Sequence, residues 1–255
     1  MDIARLYDEQ IADHYDVDRF GLLRGGRAIA QTQIAQHLQA PSPVVVDLAL
    51  GTGASAAAVQ AGFPAARLTG IDISQRMLDV AAARVPGVQT ILDDAANVTR
   101  HVAPASVDLV LMHYLTTYVD GARVVADAAT TLRPGGLLSI ASSTWEAFPT
   151  LNGLISALLP AGLLQELNGA PTSVDVVAGF LEGAGLEIVA RDTFTTAVSF
   201  ASFDEVWDFG VHSGFFTHII DGLPPETVAM LRSVEGIYPI EDTYTAGILL
   251  ARRRP

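Results

Sequence analysis

One run, Val44-Val45-Val46-Asp47-Leu48, constrains this chain more than any other. It is β-branched and almost wholly apolar, the pattern of a strand covered by helices on both faces. Pro41 and Pro43 stop the helical stretch before it, near 27–39, and Gly51-Thr52-Gly53 follows at once. Short apolar segments then alternate with alanine-rich helical stretches. Strands are expected at 43–48, 67–71, 88–92, 107–112 and 136–141, with helices near 54–62, 75–84 and 119–132. Further strands are expected at 186–189 and 244–251. Alternation of this kind means βαβ crossovers, hence an α/β fold with a doubly wound, mostly parallel, seven-stranded sheet of Rossmann-like type.

The rhythm breaks after Ser142. Leu151, Leu154, Ile155, Leu158, Leu159, Leu163, Leu164 and Leu167 recur at helical spacing, which predicts a lid insertion over 145–170. Thr172 or Ser173 is expected to cap the helix that Gly183 and Gly185 end. Ser202-Phe203-Asp204-Glu205 is a capping-box pattern opening an aromatic insertion over 200–240, with Trp207, Phe209, Phe215 and Phe216. At the start, Ile3, Leu6, Tyr7, Ile11 and Tyr15 predict an amphipathic helix within an N-terminal cap over 1–40. At 255 residues, the expectation is one domain carrying these additions.

Composition removes whole classes of chemistry. The basic residues are all arginine and cysteine is absent, so lysine Schiff bases, disulfides, iron-sulfur clusters and cysteine nucleophiles are excluded. The net charge of -13 opposes nucleic-acid binding, which relies on cationic side chains. No apolar run reaches the length of a membrane span and the N-terminus carries no apolar signal core, so a cytoplasmic protein is expected.

Glycines directly after the first strand let a ligand approach the main chain and the next helix N-terminus. Asp72, in Gly70-Ile71-Asp72-Ile73-Ser74, closes the second strand, where a carboxylate can accept from ribose hydroxyls. Gly51-Thr52-Gly53-Ala54-Ser55-Ala56 also satisfies G-x-G-x-x-A, which keeps an NAD-dependent dehydrogenase as an alternative. The flanks point elsewhere. Asp47 with Gly51 and Gly53 resembles the D-x-G-x-G-x-G loop of class I S-adenosylmethionine-dependent methyltransferases. Asp72-Ile73-Ser74 with Met77-Leu78, Leu92-Asp93-Asp94-Ala95, Ser106-Val107-Asp108-Leu109-Val110-Leu111 and Leu132-Arg133-Pro134-Gly135-Gly136 resemble the later segments of that family in order. Ala49 departs from it, standing where a glycine is most frequent.

The resemblance implies S-adenosyl-L-methionine as cofactor, with Asp72 and Ile73 at the ribose, Met77 at the adenine and Asp94 and Ala95 at its amino edge. Asp47, Ala49, Gly51 and Gly53 would form the loop, with Tyr15 and His113 lining the site and Arg24 gripping the cofactor's carboxylate. No metal is implied. The Asn-Pro-Pro-Tyr signature is missing after the fourth strand, where Met112-His113-Tyr114-Leu115 stands, so a small molecule is the expected methyl acceptor. The apolar insertions suggest a largely apolar or aromatic acceptor methylated at oxygen, with carbon or nitrogen as alternatives. A protein that binds the cofactor without transferring its methyl is a further alternative. For a general base, His113 leads because it follows the fourth strand, with His14, His212 and His218 as rivals. The lid helices could also form a homodimer contact.

Overall fold

The computed structural model describes residues 2–158, 170–171, 173–234 and 236–254. Seven strands form one sheet: β1 (Val44–Leu48), β2 (Arg67–Asp72), β3 (Gln89–Leu92), β4 (Val107–His113), β5 (Leu132–Ser143), β6 (Leu186–Phe200) and β7 (Ile240–Arg253). The order is β3-β2-β1-β4-β5-β7-β6, with β1 to β5 parallel and β7 antiparallel to both of its neighbours. Reversal of order at β1/β4 places a crevice beyond their carboxyl ends, where ligands bind in open sheets of this kind.

Successive side chains of β1 point to opposite faces, and the core divides accordingly. Val45 packs with Leu68, Leu109 and Leu111 on one face, whereas Val46 and Leu48 join Val110, Met112 and Ile140 on the other. A third cluster gathers Phe148, Phe200, Phe209, Phe216 and Tyr244 around the insertions.

Several boundaries differ from the sequence expectation. The helix expected near 27–39 spans Leu22–His37, since Gly25 and Gly26 lie within it and not before it. A Cβ on Gly26 would stand 2.2 Å from the Tyr114 hydroxyl, so the missing side chain admits that ring against the helix. The fifth strand starts at Leu132, ahead of the predicted 136, because Arg133-Pro134-Gly135-Gly136 is an irregularity inside its pairing with β4. Strands β6 and β7 run far beyond their apolar centres because they pair with each other from Leu186↔Arg253 to Phe200↔Ile240.

The N-terminal helix is not continuous. Ile3–Leu6 is α-helical, Tyr7–Ile11 adopts the wider π form and Tyr15–Val17 a 3-10 turn. Ile11 and Ala12 bury against Met77, with Tyr7 and Tyr15 packed beside them. In the lid, Pro149–Leu158 is a helix, whereas the predicted continuation over 159–169 lies outside the described residues. Thr172 lies outside them too; Ser173 caps the Val174–Gly183 helix through the Val176 amide. No described helix is long and apolar enough to cross a membrane.

Candidate active site

Directly after β1 the chain turns through Ala49 (φ 62°), Gly51 (φ 53°) and Gly53 (φ 78°). Glycine enters this left-handed region freely, whereas an alanine there costs roughly 1–2 kcal/mol. Asp72 holds the turn open: its Oδ2 accepts from the Gly51 amide at 2.8 Å and its Oδ1 from the Ser74 amide at 2.9 Å. Burial raises the pKa of Asp72, opposed by the backbone bonds from Ser74, Gly51 and Ile73.

Beyond this turn lies a cavity of about 460 Å³, within the size range of small-molecule sites. Ala49 and Gly51, Asp72 and Ile73, and Asp94 and Ala95 form its floor, bringing three separate loops of the sequence expectation together. Asp94 reaches it while accepting from the Ala96 amide at 2.8 Å. Asp93 turns away to His101 (2.6 Å) and Asn97 (2.8 Å), and the His101 bond leads in lowering its pKa to about 2.

The N-terminal segment roofs the cavity with Asp2, Ile3, Tyr7 and Tyr15. Three carboxylates fasten this roof. Asp8 accepts from the Ser74 hydroxyl (2.5 Å) and the Arg76 amide (3.1 Å), and Asp13 pairs with Arg76 at 2.6 Å. Asp16 accepts from the Thr52 hydroxyl (2.8 Å) and from Arg84 (2.5 Å).

A small recess of about 20 Å³ continues from the glycine turn, lined by Arg27, Thr52, Ser55 and His113. Arg27 has no carboxylate partner among the described residues. Close by, near the end of β1 and behind the lining of cavity and recess, Asp47 is buried with Oδ2 lacking any hydrogen bond, and burial pushes its pKa well up. An unpaired guanidinium and an orphaned carboxylate suit the two ends of an amino acid. Arg24 is exposed and lines none of these spaces, its amide bonding Asp18; the arginine at the recess stands one helical turn later.

His113 lines both cavity and recess, yet both ring nitrogens are engaged: Nδ1 with the Ser55 hydroxyl at 2.9 Å, Nε2 with that of Ser139 at 3.0 Å. Burial, helped by Arg27, lowers its pKa to about 3, which leaves a neutral imidazole. Met77 does not reach the cavity, being wholly buried under Ile11 and Ala12. His14 and His212 pack against each other with their rings tilted by 47°, centroids 4.5 Å apart, at a separate opening of about 230 Å³ between the N-terminal segment and the Phe203–His212 helix. The His218 side chain lies outside the described residues.

A second, smaller cavity of about 50 Å³ adjoins the first. Tyr7, Tyr15, Tyr114 and Tyr118 line both spaces and form the partition between them. Phe148, Phe215, Phe216, Asn152 and the hydroxyls of Thr117, Ser143 and Thr144 border its far side. Tyr114 adopts φ 61°, directs its hydroxyl to the Leu22 and Leu23 carbonyls at 3.3 Å and follows His113 at the end of β4. Tyr118 donates to the Gly214 carbonyl. Sequence reasoning missed Arg27, Ser55, Tyr114 and Tyr118; the tyrosine spacing of four after a strand end was the available signal for the last two.

Comparison with known proteins agrees with this geometry. Residues 45–136 match the family model described as a methyltransferase domain. A trans-aconitate 2-methyltransferase of Methylobacterium radiotolerans is 30% identical over 227 residues, covering 84% of this chain and 85% of that one. A solved Bacillus halodurans chain assigned to the methyltransferases superposes with a TM-score of 0.62 at 18% identity, over 88% of this chain and 99% of that one. Geranyl diphosphate C-methyltransferase of Streptomyces coelicolor A3(2), solved with S-adenosyl-L-homocysteine, superposes at 0.53 with 13% identity, over 89% of this chain and 76% of that one. The two solved structures speak for the fold, and the first relative, matched along most of both chains, for the lineage. With its glycine turn, its strand-end carboxylates and that kinship, the chain belongs to the class I S-adenosyl-L-methionine-dependent methyltransferases, on their small-molecule side.

Proposed function

We propose that this enzyme methylates an oxygen of a small, largely apolar or aromatic metabolite. The observation that carries the reading is the aromatic cavity behind the four-tyrosine partition, bordered by phenyl rings and a few hydroxyls. Small-molecule sites combine such apolar walls with few directing polar groups. Bound S-adenosyl-L-methionine supplies an activated methyl on a positively charged sulfur.

The residues divide the remaining work. Asp72 faces the ribose and Asp94 the adenine edge, each fixed by backbone amides. Arg27 takes the cofactor's carboxylate and Asp47 its ammonium, which satisfies both unpaired groups. Tyr7 and Tyr15 cover the bound molecule and exclude water, and Tyr114 and Tyr118 align the acceptor against it. Orientation of this sort can lower a barrier by about 7–11 kcal/mol in well-aligned models. His113 acts here as a lining group held by two serine hydroxyls.

Incubation with methyl-labelled cofactor and an extract of small metabolites, followed by mass spectrometry, tests the reading. Label recovered as an ether or ester of an apolar compound is expected. Label on carbon or nitrogen, or conversion of a metabolite without gain of a methyl, overturns it.

A further inference from the structure

We infer that the acceptor is a monoacid on an apolar body, a carboxylic acid or acidic phenol or enol, which binds already ionised and needs no base from the enzyme. This rests on the proposed oxygen methylation and narrows it. Where the two cavities meet, the wall among the described residues consists of phenols, hydroxyls, phenyl rings, the Asn152 amide and small aliphatic groups, with no carboxylate, imidazole or guanidinium. Histidines stand elsewhere: His113 opens only on the cofactor side with both nitrogens occupied, and His14 and His212 lie at the outer opening. Carboxylates are also displaced, with Asp2, Asp72 and Asp94 on the cofactor side and Glu146 exposed beside Thr144.

Such a wall can donate but cannot take a proton. Burial holds all four phenols in their protonated form, Tyr118 being pushed up to about 12. Tyr15, whose hydroxyl has no hydrogen-bond partner among the described residues, borders the cofactor cavity, the aromatic cavity, the recess and the outer opening. It is a free donor at the junction. A neutral alcohol there would have to give its proton to a group that the wall lacks among the described residues, whereas an anion needs only donors.

The charge balance agrees. The acceptor's oxygen forms a bond to the methyl carbon as the carbon–sulfur bond breaks with its electron pair retained on sulfur. An anion and a sulfonium thereby give two neutral products, and no proton has to leave a closed site. One negative charge is matched in this way; among the described residues the wall carries no arginine for a second or third.

Matched acceptors sharing one apolar body test the inference: trans-cinnamate, cinnamyl alcohol and cinnamylamine, with trans-aconitate as a polyanionic control, each supplied with labelled S-adenosyl-L-methionine. Methyl cinnamate as the main product is expected, at least tenfold faster than transfer to the other three. Across substituted cinnamates and phenols, the acid limb of kcat/KM should move with each acceptor's own pKa. Calorimetry without turnover, on protein holding S-adenosyl-L-homocysteine, should show cinnamate binding rise with its ionisation. Methyl transfer to the alcohol overturns the inference while leaving oxygen methylation intact, and transfer to the amine overturns both. A limb fixed at one pH for every acceptor, or preferred turnover of trans-aconitate, also overturns the inference.

Discussion

The two cavities that meet at Tyr15 are held in shape by different forces. On the cofactor side, directional bonds fix the floor: Asp72 grips the Gly51 and Ser74 amides and Asp94 grips that of Ala96. On the side proposed for the acceptor, rings pack on rings. Phe148 lies with its centroid 5.2 Å from those of Phe216 and Tyr244, 5.7 Å from that of Phe209 and 5.8 Å from that of Phe215. A bidentate carboxylate accepts few replacements, whereas an apolar cluster tolerates many that conserve volume. The first region is therefore suited to one invariant ligand, and the second to retuning for different acceptors.

The sharpest way to break this contrast is Phe148→Ala. The side chain is 2% exposed, so its loss should cost about 3–5 kcal/mol of folding stability in urea titrations. Cofactor affinity, measured below the unfolding transition, should stay within about twofold; a large loss there would join the two regions energetically. Asp72→Ala is the reverse case. Removing a charge-assisted acceptor should weaken cofactor binding by about 1.5–3 kcal/mol in calorimetry, with Asp72→Asn retaining part of it. Acceptor KM at saturating cofactor should change little.

A finer division separates two arginines on one helix. Arg27→Met should weaken cofactor binding about tenfold, as loss of a charged hydrogen bond does, and Arg24→Met should leave it unchanged. Equal effects would remove Arg27 from the proposed carboxylate site. The smallest effect belongs to Asp93, which faces away from the cavity. Its folded pKa of about 2 lies below the unfolded value of about 3.9, so its contribution is present above about pH 4 and is lost as pH falls toward 2. Asp93→Asn should flatten the urea midpoint across that window and leave cofactor affinity at neutral pH unaltered.

The same contrast explains what the sequence made legible. Asp47 and Asp72 lie at or near strand ends, and Gly51 and Asp94 in the turns that follow strands, so their placement follows from local pattern and topology. Arg27 was harder: whether it or Arg24 faces the recess depends on the helical start at Leu22, five positions before the expected one. The aromatic cavity depends on contacts between residues far apart, such as Phe148 with Tyr244 and Tyr118 with Gly214, which no short-range spacing encodes. Likewise the periodicity of Tyr7, Ile11 and Tyr15 suggested one face of one continuous helix; the three do pack together beside Met77, but the chain passes from a π segment to a 3-10 turn between them, and both tyrosines also border the cavity. Such wide helical turns recur at functional sites because they redirect side chains within a helix.

The three aspartates that fasten the N-terminal roof have a consequence for exchange of the spent cofactor. Asp13 and Arg76 are more than half exposed, and Asp16 and Arg84 about a third, so dissolved ions reach these pairs while the amide bonds to buried Asp72 stay shielded. Raising ionic strength should thus loosen the covering segment and leave the floor intact. The protein would then release its demethylated product faster in concentrated salt, with its underlying adenosine-binding surface unaltered.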